Sequence, residues 1–270
     1  MSKEYLVEIY YPIVNESFDI YIPKNIKISK LINLLLDLFN NKYQNNLMVG
    51  DLKKRIVLCE SKTGKMLDIN FSVEQAGIKN PYPVWVYLKT TPHCPDHVYE
   101  TKVLDEKAIQ ILQSGGNVYL SPDSNKEHLP SSIQAQFTSD FWSVGTFAAQ
   151  EGGMGQLIDE KHPIFKNFPT EFHTNWQWWP MASQRAVIFP HPVKAIVTEM
   201  DSYAYMRPMA QLAEFRCGGG KLLFSSMGLQ NLQQYPEGRA LLHAIYQYMD
   251  SEAFAPEEEI SVEEMSELVK

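Results

Sequence analysis

The order of strand and helix patterns in the first 88 residues constrains the fold of this chain more than any other feature. Leu31, Leu34, Leu35 and Leu38 recur at helical spacing, and Ser29 before them is a good N-cap, so one helix is predicted here. Strands are predicted where β-branched and aromatic residues concentrate or alternate with polar ones. These strands cover residues 5–11, 18–22, 56–59, 66–69 and 84–88.

The chain has 270 residues and a net charge of −8, and it contains no basic stripe. This length suggests two domains, and the acidic balance argues against nucleic acid or an anionic membrane as a partner. No apolar run approaches the length of a membrane span, and the first residues lead directly into a strand pattern without an apolar signal segment. We therefore expect a cytoplasmic protein without a membrane span.

The three cysteines, Cys59, Cys94 and Cys217, are far apart and form no C-x-x-C pair. This spacing argues against zinc, an iron–sulfur cluster and a disulfide framework, and it fits a reducing compartment. We expect no metal and no cofactor.

The N-terminal order of strand, strand, helix, strand, short strand and strand is the β-grasp arrangement of ubiquitin. The segments V-E-I-Y-Y-P, F-D-I-Y-I-P, L-C-E-S-K-T-G-K-M-L-D-I-N and S-V-E-Q-A-G-I-K-N resemble the bacterial YukD-like ubiquitin-like proteins associated with type VII secretion, over residues 3–80. Leu88 continues into Lys89 without a terminal diglycine, so conjugation as a tag is excluded. A docking surface is one remaining role, and a unit that only folds and solubilises its neighbour is the other.

Helix and strand patterns alternate in the rest of the chain. Asp105 is predicted to cap a helix over 106–113, and the glycines 218–220 are predicted to form a hairpin tip. Ser261 and Glu264 predict a capping box for a terminal helix. The resulting domain organisation is a ubiquitin-like domain at 1–88, a linker at 89–98, an α/β domain at 99–250 and a tail with a short helix at 251–270.

A second resemblance covers residues 80–250. The segments N-P-Y-P-V-W-V-Y, L-D-E-K-A-I-Q-I-L-Q-S-G-G, G-G-M-G-Q-L-I-D, H-P-I-F-K-N-F-P-T-E-F-H-T-N-W-Q-W-W and G-G-G-K-L-L-F-S-S resemble the C-terminal accessory region of glycoside hydrolase family 2 β-galactosidase-like enzymes. The resemblance implies a flavodoxin-like, class I glutamine-amidotransferase-like α/β domain without catalytic residues. The predicted fold class is thus α+β and α/β, with an N-terminal β-grasp domain before that domain.

No catalytic residues are predicted. Glycoside hydrolysis needs two carboxylates across the bond, and the family 2 barrel that holds them takes about 200 residues or more, for which this chain has no room. An amidotransferase needs a cysteine at a strand-to-helix elbow, whereas Cys217 is followed by glycines and another strand. Available acids in this half include Asp159, Glu160, Glu171, Glu199, Asp201 and Glu214, and no pattern separates them from surface charges.

Residues 162–180 hold three of the five tryptophans. One interpretation is a core corner, because aromatic side chains dominate protein interiors. The other is a surface on which rings contact a sugar or a protein. The candidate ligand-binding residues under this second interpretation are Asn175, Trp176, Gln177, Trp178 and Trp179.

Three functions follow from these patterns. The first is a noncatalytic accessory module of a β-galactosidase-like system, whose partners are a glycoside hydrolase catalytic subunit or a carbohydrate. The second is a protein-interaction adaptor linked to type VII secretion through the ubiquitin-like domain. The third is a glycoside hydrolase fragment with residual activity.

Overall fold

The computed structural model contains an N-terminal sheet crossed by one helix and a larger C-terminal sheet. It describes residues 4–11, 16–42, 56–60, 64–78, 84–88, 91–137, 151, 153–168 and 170–270. Outside these residues lie the first two residues of the predicted linker, residue 80, at which the two resemblances meet, and Gly152 of the segment G-G-M-G-Q-L-I-D. The N-terminal elements are β1 (Glu4–Tyr11), β2 (Glu16–Pro23), α1 (Ile28–Lys42), β3 (Ile56–Glu60) and β4 (Val84–Leu88).

The N-terminal strands form one sheet in the order β2-β1-β4-β3. β1 pairs antiparallel with β2 and parallel with β4, and β3 pairs antiparallel with β4. Helix α1 packs its apolar side on one face of this sheet, which is the β-grasp arrangement. Two local predictions were wrong. The helix begins at Ile28, so Ser29 lies in its first turn, and the predicted strand at 66–69 is reduced to a single bridge between Met66 and Cys59.

The C-terminal region combines an eight-stranded sheet with helices on its faces. Its strands are β5 (Val98–Thr101), β6 (Asn117–Leu120), β7 (Ser132–Gln134), β8 (Gln156–Ile158), β9 (Arg185–Ile188), β10 (Ala195–Glu199), β11 (Met209–Cys217) and β12 (Gly220–Ser225). Its α-helices are α2 (Glu106–Gln113), α3 (Trp179–Ala182), α4 (Pro236–Met249) and α5 (Val262–Leu268). Short 3-10 helices cover Pro163–Asn167, Trp176–Trp178 and Leu229–Leu232.

The C-terminal sheet is mixed. Its main order is β5-β6-β12-β11-β10-β8, with β9 paired to β11 and β7 paired to β9. β5, β6 and β12 are parallel, whereas β11, β10 and β8 each run antiparallel to their neighbours. The region is therefore a layered assembly of helices and sheet, but the flavodoxin-like topology, which is a parallel sheet, is not confirmed.

Several local predictions in the C-terminal region are confirmed. The Asp105 side chain accepts a hydrogen bond from the backbone N–H of Ala108 and caps α2. Gly218 and Gly219 both have positive φ at the tip of the β11–β12 hairpin, as a two-residue primed turn requires. The capping box of Ser261 and Glu264 is formed, and helix α5 packs into the C-terminal core. The terminal segment is thus part of the folded region.

The second face of the N-terminal sheet packs on the C-terminal region. Cys59, Trp85 and Tyr87 belong to the same buried cluster as Phe168 and Trp178. The rings of Tyr87 and Phe168 are stacked with centroids 6.4 Å apart, and α4 contacts β4. Both faces of the small sheet are therefore covered, one by α1 and the other by the C-terminal region.

Candidate functional site

A cleft of about 340 Å³ lies at the margin where the two regions meet. Its N-terminal wall is a row across three strands, because Tyr10 on β1 is opposite Ser17 on β2 and opposite Trp85 on β4. Glu8 precedes Tyr10 by two residues, so both side chains point to the same face of the sheet. The rings of Tyr10 and Trp85 meet edge to face with centroids 6.4 Å apart.

The opposite wall comes from the aromatic stretch of the C-terminal region and contains Glu171, Asn175 and Trp176. The Asn175 amide donates to Glu171 Oε2 at 2.9 Å, and its oxygen accepts from the Gln177 backbone N–H at 3.0 Å. Asn175 therefore caps the 3-10 helix Trp176–Trp178 and at the same time orients the carboxylate. The site is built jointly by both regions.

The cleft is aromatic and acidic. Among the described residues that line it, Glu8 and Glu171 are the charged ones, and none is basic. Burial and the negative charge of Glu171 raise the pKa of Tyr10, so its phenol stays protonated at neutral pH. The arrangement offers the partly accessible rings of Tyr10 and Trp176 and two carboxylates to a ligand, which suits a cation that accepts contact from ring faces and from carboxylate oxygens.

The structure separates the five candidate residues predicted from the sequence. Trp178 is fully buried against Phe165 and Phe168, and its indole N–H donates to Thr170 Oγ1 at 2.7 Å. Gln177 is also fully buried. Neither side chain is available to a ligand, because the 3-10 helix turns both of them into the interior. The structure therefore places these two residues in the core and not in the lining of the cleft.

Asn175, Trp176 and Trp179 remain at or near the surface. Trp179 is 40% exposed. Its ring centroid lies 5.5 Å from that of Trp176, and Phe137 lies 4.9 Å from Trp176 and 5.2 Å from Trp179. Trp179 does not line the cleft itself but supports the ring of Trp176 from outside.

Two other acids of the C-terminal region, Glu199 and Asp201, are engaged by neighbouring groups. Burial raises the pKa of Glu199 to about 8, although Gln156 and the backbone N–H groups of Gln136 and Gly155 donate hydrogen bonds to its carboxyl. Asp201 forms a two-pronged ion pair with Arg207, with contacts of 2.7 and 3.0 Å. These contacts hold strands and loops together.

A second pocket of about 300 Å³ contains His162, Glu214 and Tyr248. Tyr248 donates to Glu214 Oε2 at 2.7 Å, and His162 Nε2 lies 3.5 Å from Glu214 Oε1. His162 Nδ1 accepts the backbone N–H of Ile164 at 3.3 Å, so the proton of the neutral ring is on Nε2. Both ring nitrogens are thus engaged within the protein, and the group is organised as a structural cluster.

The thiols show no activation. Burial raises the pKa of Cys217 to about 11 and that of Cys94 to about 11, and it raises the pKa of Cys59 as well. Cys217 ends β11 and leads into the hairpin. A strand-to-helix elbow, which an amidotransferase nucleophile would need, does not occur at this position.

Within the described ranges, no three His, Cys, Asp or Glu side chains converge in a group that suits a metal ion. None of the helices described is long and apolar enough to cross a membrane.

The N-terminal half of the cleft was missed by the sequence analysis. The signal for it lies in β1, where Val7, Ile9 and Tyr11 are buried under α1 while Glu8 and Tyr10 alternate with them on the other face. A strand with a tyrosine on its second face indicates that this face also packs on something. Because the partner surface is more than 150 residues away in sequence, the pattern does not identify it.

The comparisons with known proteins separate the two regions. Residues 99–270 match a protein family described as a domain of unknown function, DUF8487. No curated protein shows significant similarity to the chain. None of these findings supports the resemblance to glycoside hydrolase family 2 or to glutamine amidotransferases.

Several solved structures are similar to the N-terminal region. They include a ubiquitin-like domain of an Arabidopsis thaliana protein, with 20% identity and a TM-score of 0.25 over 35% of this chain and 87% of that one. The EccD5 ubiquitin-like domain from Mycobacterium xenopi has 23% identity and a TM-score of 0.26, covering 32% of this chain and 96% of that chain. The ubiquitin-like domain of the Mycobacterium tuberculosis type VII secretion system protein ECCD1 has 12% identity and a TM-score of 0.25, covering 32% of this chain and 98% of that chain. The ubiquitin-like fold of the N-terminal domain follows from its own sheet order.

Proposed function

We propose a binding function for this chain, which belongs to the protein family described as a domain of unknown function, DUF8487. The protein acts as an adaptor. Its cleft lies between the ubiquitin-like domain and residues 99–270, called the family domain below, and binds a lysine- or arginine-bearing segment of a partner protein. The observation that carries this proposal is the lining of the cleft, which combines the partly accessible rings of Tyr10 and Trp176 with the carboxylates of Glu8 and Glu171.

Three physical arguments support a cationic partner segment. Tryptophan and tyrosine faces attract ammonium and guanidinium groups, and the contribution reaches about 2 kcal/mol where water is excluded. The two carboxylates supply hydrogen-bond acceptors and negative charge without a basic residue among the described lining groups. The net charge of −8 also favours encounter with a basic surface.

The test is calorimetric titration of the intact protein with a capped pentapeptide that carries one lysine and one arginine. We expect Trp176→Ala to weaken binding about 2- to 30-fold, through the loss of the ring contact. Glu171→Gln weakens it up to about fivefold, as expected for a partly exposed charge pair, and added salt weakens it further. Glu127→Gln, which replaces an exposed glutamate outside the cleft, serves as the matched control.

A second peptide carries acetyl-lysine in place of lysine and citrulline in place of arginine. Because these residues keep a similar shape but lack the positive charge, the comparison shows how much of the affinity depends on charge. Equal binding of the charged and neutral peptides, or an unchanged affinity in Trp176→Ala, would refute the proposal. Galactosides and galactan oligomers form a second arm, because Asn175 and Trp176 in the cleft also offer an amide and a ring of the kind that contacts a sugar. Heat of binding with these sugars alone would assign the cleft to carbohydrate instead.

A link to type VII secretion is the more specific form of the adaptor hypothesis. It is tested by asking whether type VII secretion components copurify with the intact protein and are lost in Trp176→Ala. Retention of those components in the variant would mean that another surface binds them.

A further inference from the structure

Glu237 is a buried carboxyl at the junction of the two domains. It is the second residue of α4 and has no exposed surface. Among the described residues, no other residue donates a hydrogen bond to either of its oxygens. A carboxylate placed in such surroundings loses its hydration without replacement, which is costly.

The ubiquitin-like domain closes over this carboxyl. A Cβ built on Gly64 would lie 2.9 Å from Glu237 Oε2, so the backbone of the ubiquitin-like domain sits directly against the acid. The charge of Glu237 also acts on Cys59 of β3 and Tyr87 of β4. Among the described residues, the titratable and charged groups whose interaction with the carboxyl is resolved are Cys59, Tyr87 and, on its own helix, Arg239.

These neighbours do not neutralise a negative charge. Burial raises the pKa of Cys59 and of Tyr87, so both are neutral through the physiological range. Arg239 attracts the carboxyl at a distance but donates its hydrogen bond to the backbone oxygen of Gln233 at 2.5 Å. The two titratable groups of the ubiquitin-like domain that act on the carboxyl, Cys59 and Tyr87, are therefore both neutral.

We propose that docking of the ubiquitin-like domain on the family domain requires the protonated form of Glu237, so that the contact between the two domains loosens as this carboxyl ionises. The inference is independent of what the cleft binds, since it concerns the contact that forms the cleft. In the docked form, burial raises the pKa of Glu237 to about 8, against an ordinary value of 4.5.

The direction in which docking depends on pH follows from proton linkage. The docked form holds the proton up to a higher pH than the separated form, so docking is fully favoured below about pH 4.5 and weakens as the pH rises towards 8. Within this window the docking equilibrium changes by up to about tenfold per pH unit for one proton. Above the window the effect is constant.

Cys59 provides a direct measurement, because it is fully buried in the contact between the domains. In a Cys94→Ser, Cys217→Ala background, a neutral thiol reagent labels Cys59 when the contact opens. The labelling rate is divided by the rate in denaturant at the same pH, which removes the ionisation of the thiol itself. We expect the opening equilibrium to rise up to about tenfold per unit between pH 6 and 8.

Glu237→Gln and Glu237→Leu test the assignment, and the second variant serves if the amide disturbs packing. Both should give a flat pH dependence, whereas Glu127→Gln should keep the slope. An unchanged slope in both Glu237 variants would overturn the proposal. Amide hydrogen exchange of α1 provides the second criterion, because α1 lies on the opposite face of the sheet. If amide exchange of α1 rose with pH by the same factor as Cys59 labelling, the whole ubiquitin-like domain would be unfolding. That result would also overturn the proposal.

Discussion

The two faces of the small N-terminal sheet are both buried, but they differ in composition. The face under α1 consists largely of aliphatic side chains, completed by Tyr11 stacked on Phe39 with centroids 4.1 Å apart. The face towards the family domain carries Cys59, Trp85 and Tyr87. In the described part of the chain, the Trp85 indole N–H and the Tyr87 hydroxyl find no hydrogen-bond partner.

This difference distinguishes a folding core from a docking contact. The core under α1 is largely aliphatic, whereas interfaces between domains are more polar and permit relative movement. Unpaired polar groups lower the stability of the second face, since each buried donor or acceptor without a partner costs about 1–3 kcal/mol. We therefore expect the α1 face to determine whether the domain folds and the other face to determine whether it docks.

The largest effect is expected for Phe39→Ala on the α1 face. Phe39 is 1% exposed and contacts both Tyr11 and Phe18, so truncation should cost about 3–5 kcal/mol. Denaturant unfolding followed by circular dichroism measures this loss. Leu38→Ala, on the exposed side of the same helix, is the control and should change stability by less than about 0.5 kcal/mol. A small loss for Phe39→Ala would contradict the assignment of this face as the folding core.

Gly64→Ala is expected to weaken the contact between the two domains, with an effect smaller than that of Phe39→Ala on folding. Gly64 has φ of +62° and would place its new Cβ 2.9 Å from Glu237 Oε2. The left-handed backbone costs about 1–2 kcal/mol for an L-residue, and the close contact adds to this in the docked form. Labelling of Cys59 should therefore accelerate while α1 stays protected against exchange.

Gly77→Ala is the matched control for this substitution. Gly77 has φ of +78°, and no atom of the described residues lies within 4 Å of a built Cβ, so it carries the backbone cost alone. The difference between the two variants isolates the contact with Glu237. If both variants accelerate Cys59 labelling equally, Gly64 does not act through the interface.

Local features of this fold can be predicted from the sequence, whereas contacts between distant residues cannot. Asp105 and the pair of Ser261 with Glu264 act within four residues, so their caps follow from spacing alone. The cleft joins Tyr10 and Trp176, which are distant in sequence, and no local pattern pairs them. Trp176 and Trp178 are both tryptophans of the same aromatic stretch, so the sequence alone does not distinguish them. The turn of a short 3-10 helix buries Trp178 and leaves Trp176 partly accessible.

The smallest effect is expected for Tyr87→Phe, and its sign is informative. The hydroxyl of Tyr87 is buried and has no partner among the described residues, so its removal should be neutral or stabilise docking by up to about 1 kcal/mol. Tyr246→Phe is the contrast, because the Tyr246 hydroxyl donates to Glu100 Oε1 at 2.8 Å. Losing a hydrogen bond to a charged group should cost about 1.5–3 kcal/mol. A loss in Tyr87→Phe as large as that in Tyr246→Phe would mean that the docking face has a satisfied polar network, and the contrast between the two faces of the sheet would fail.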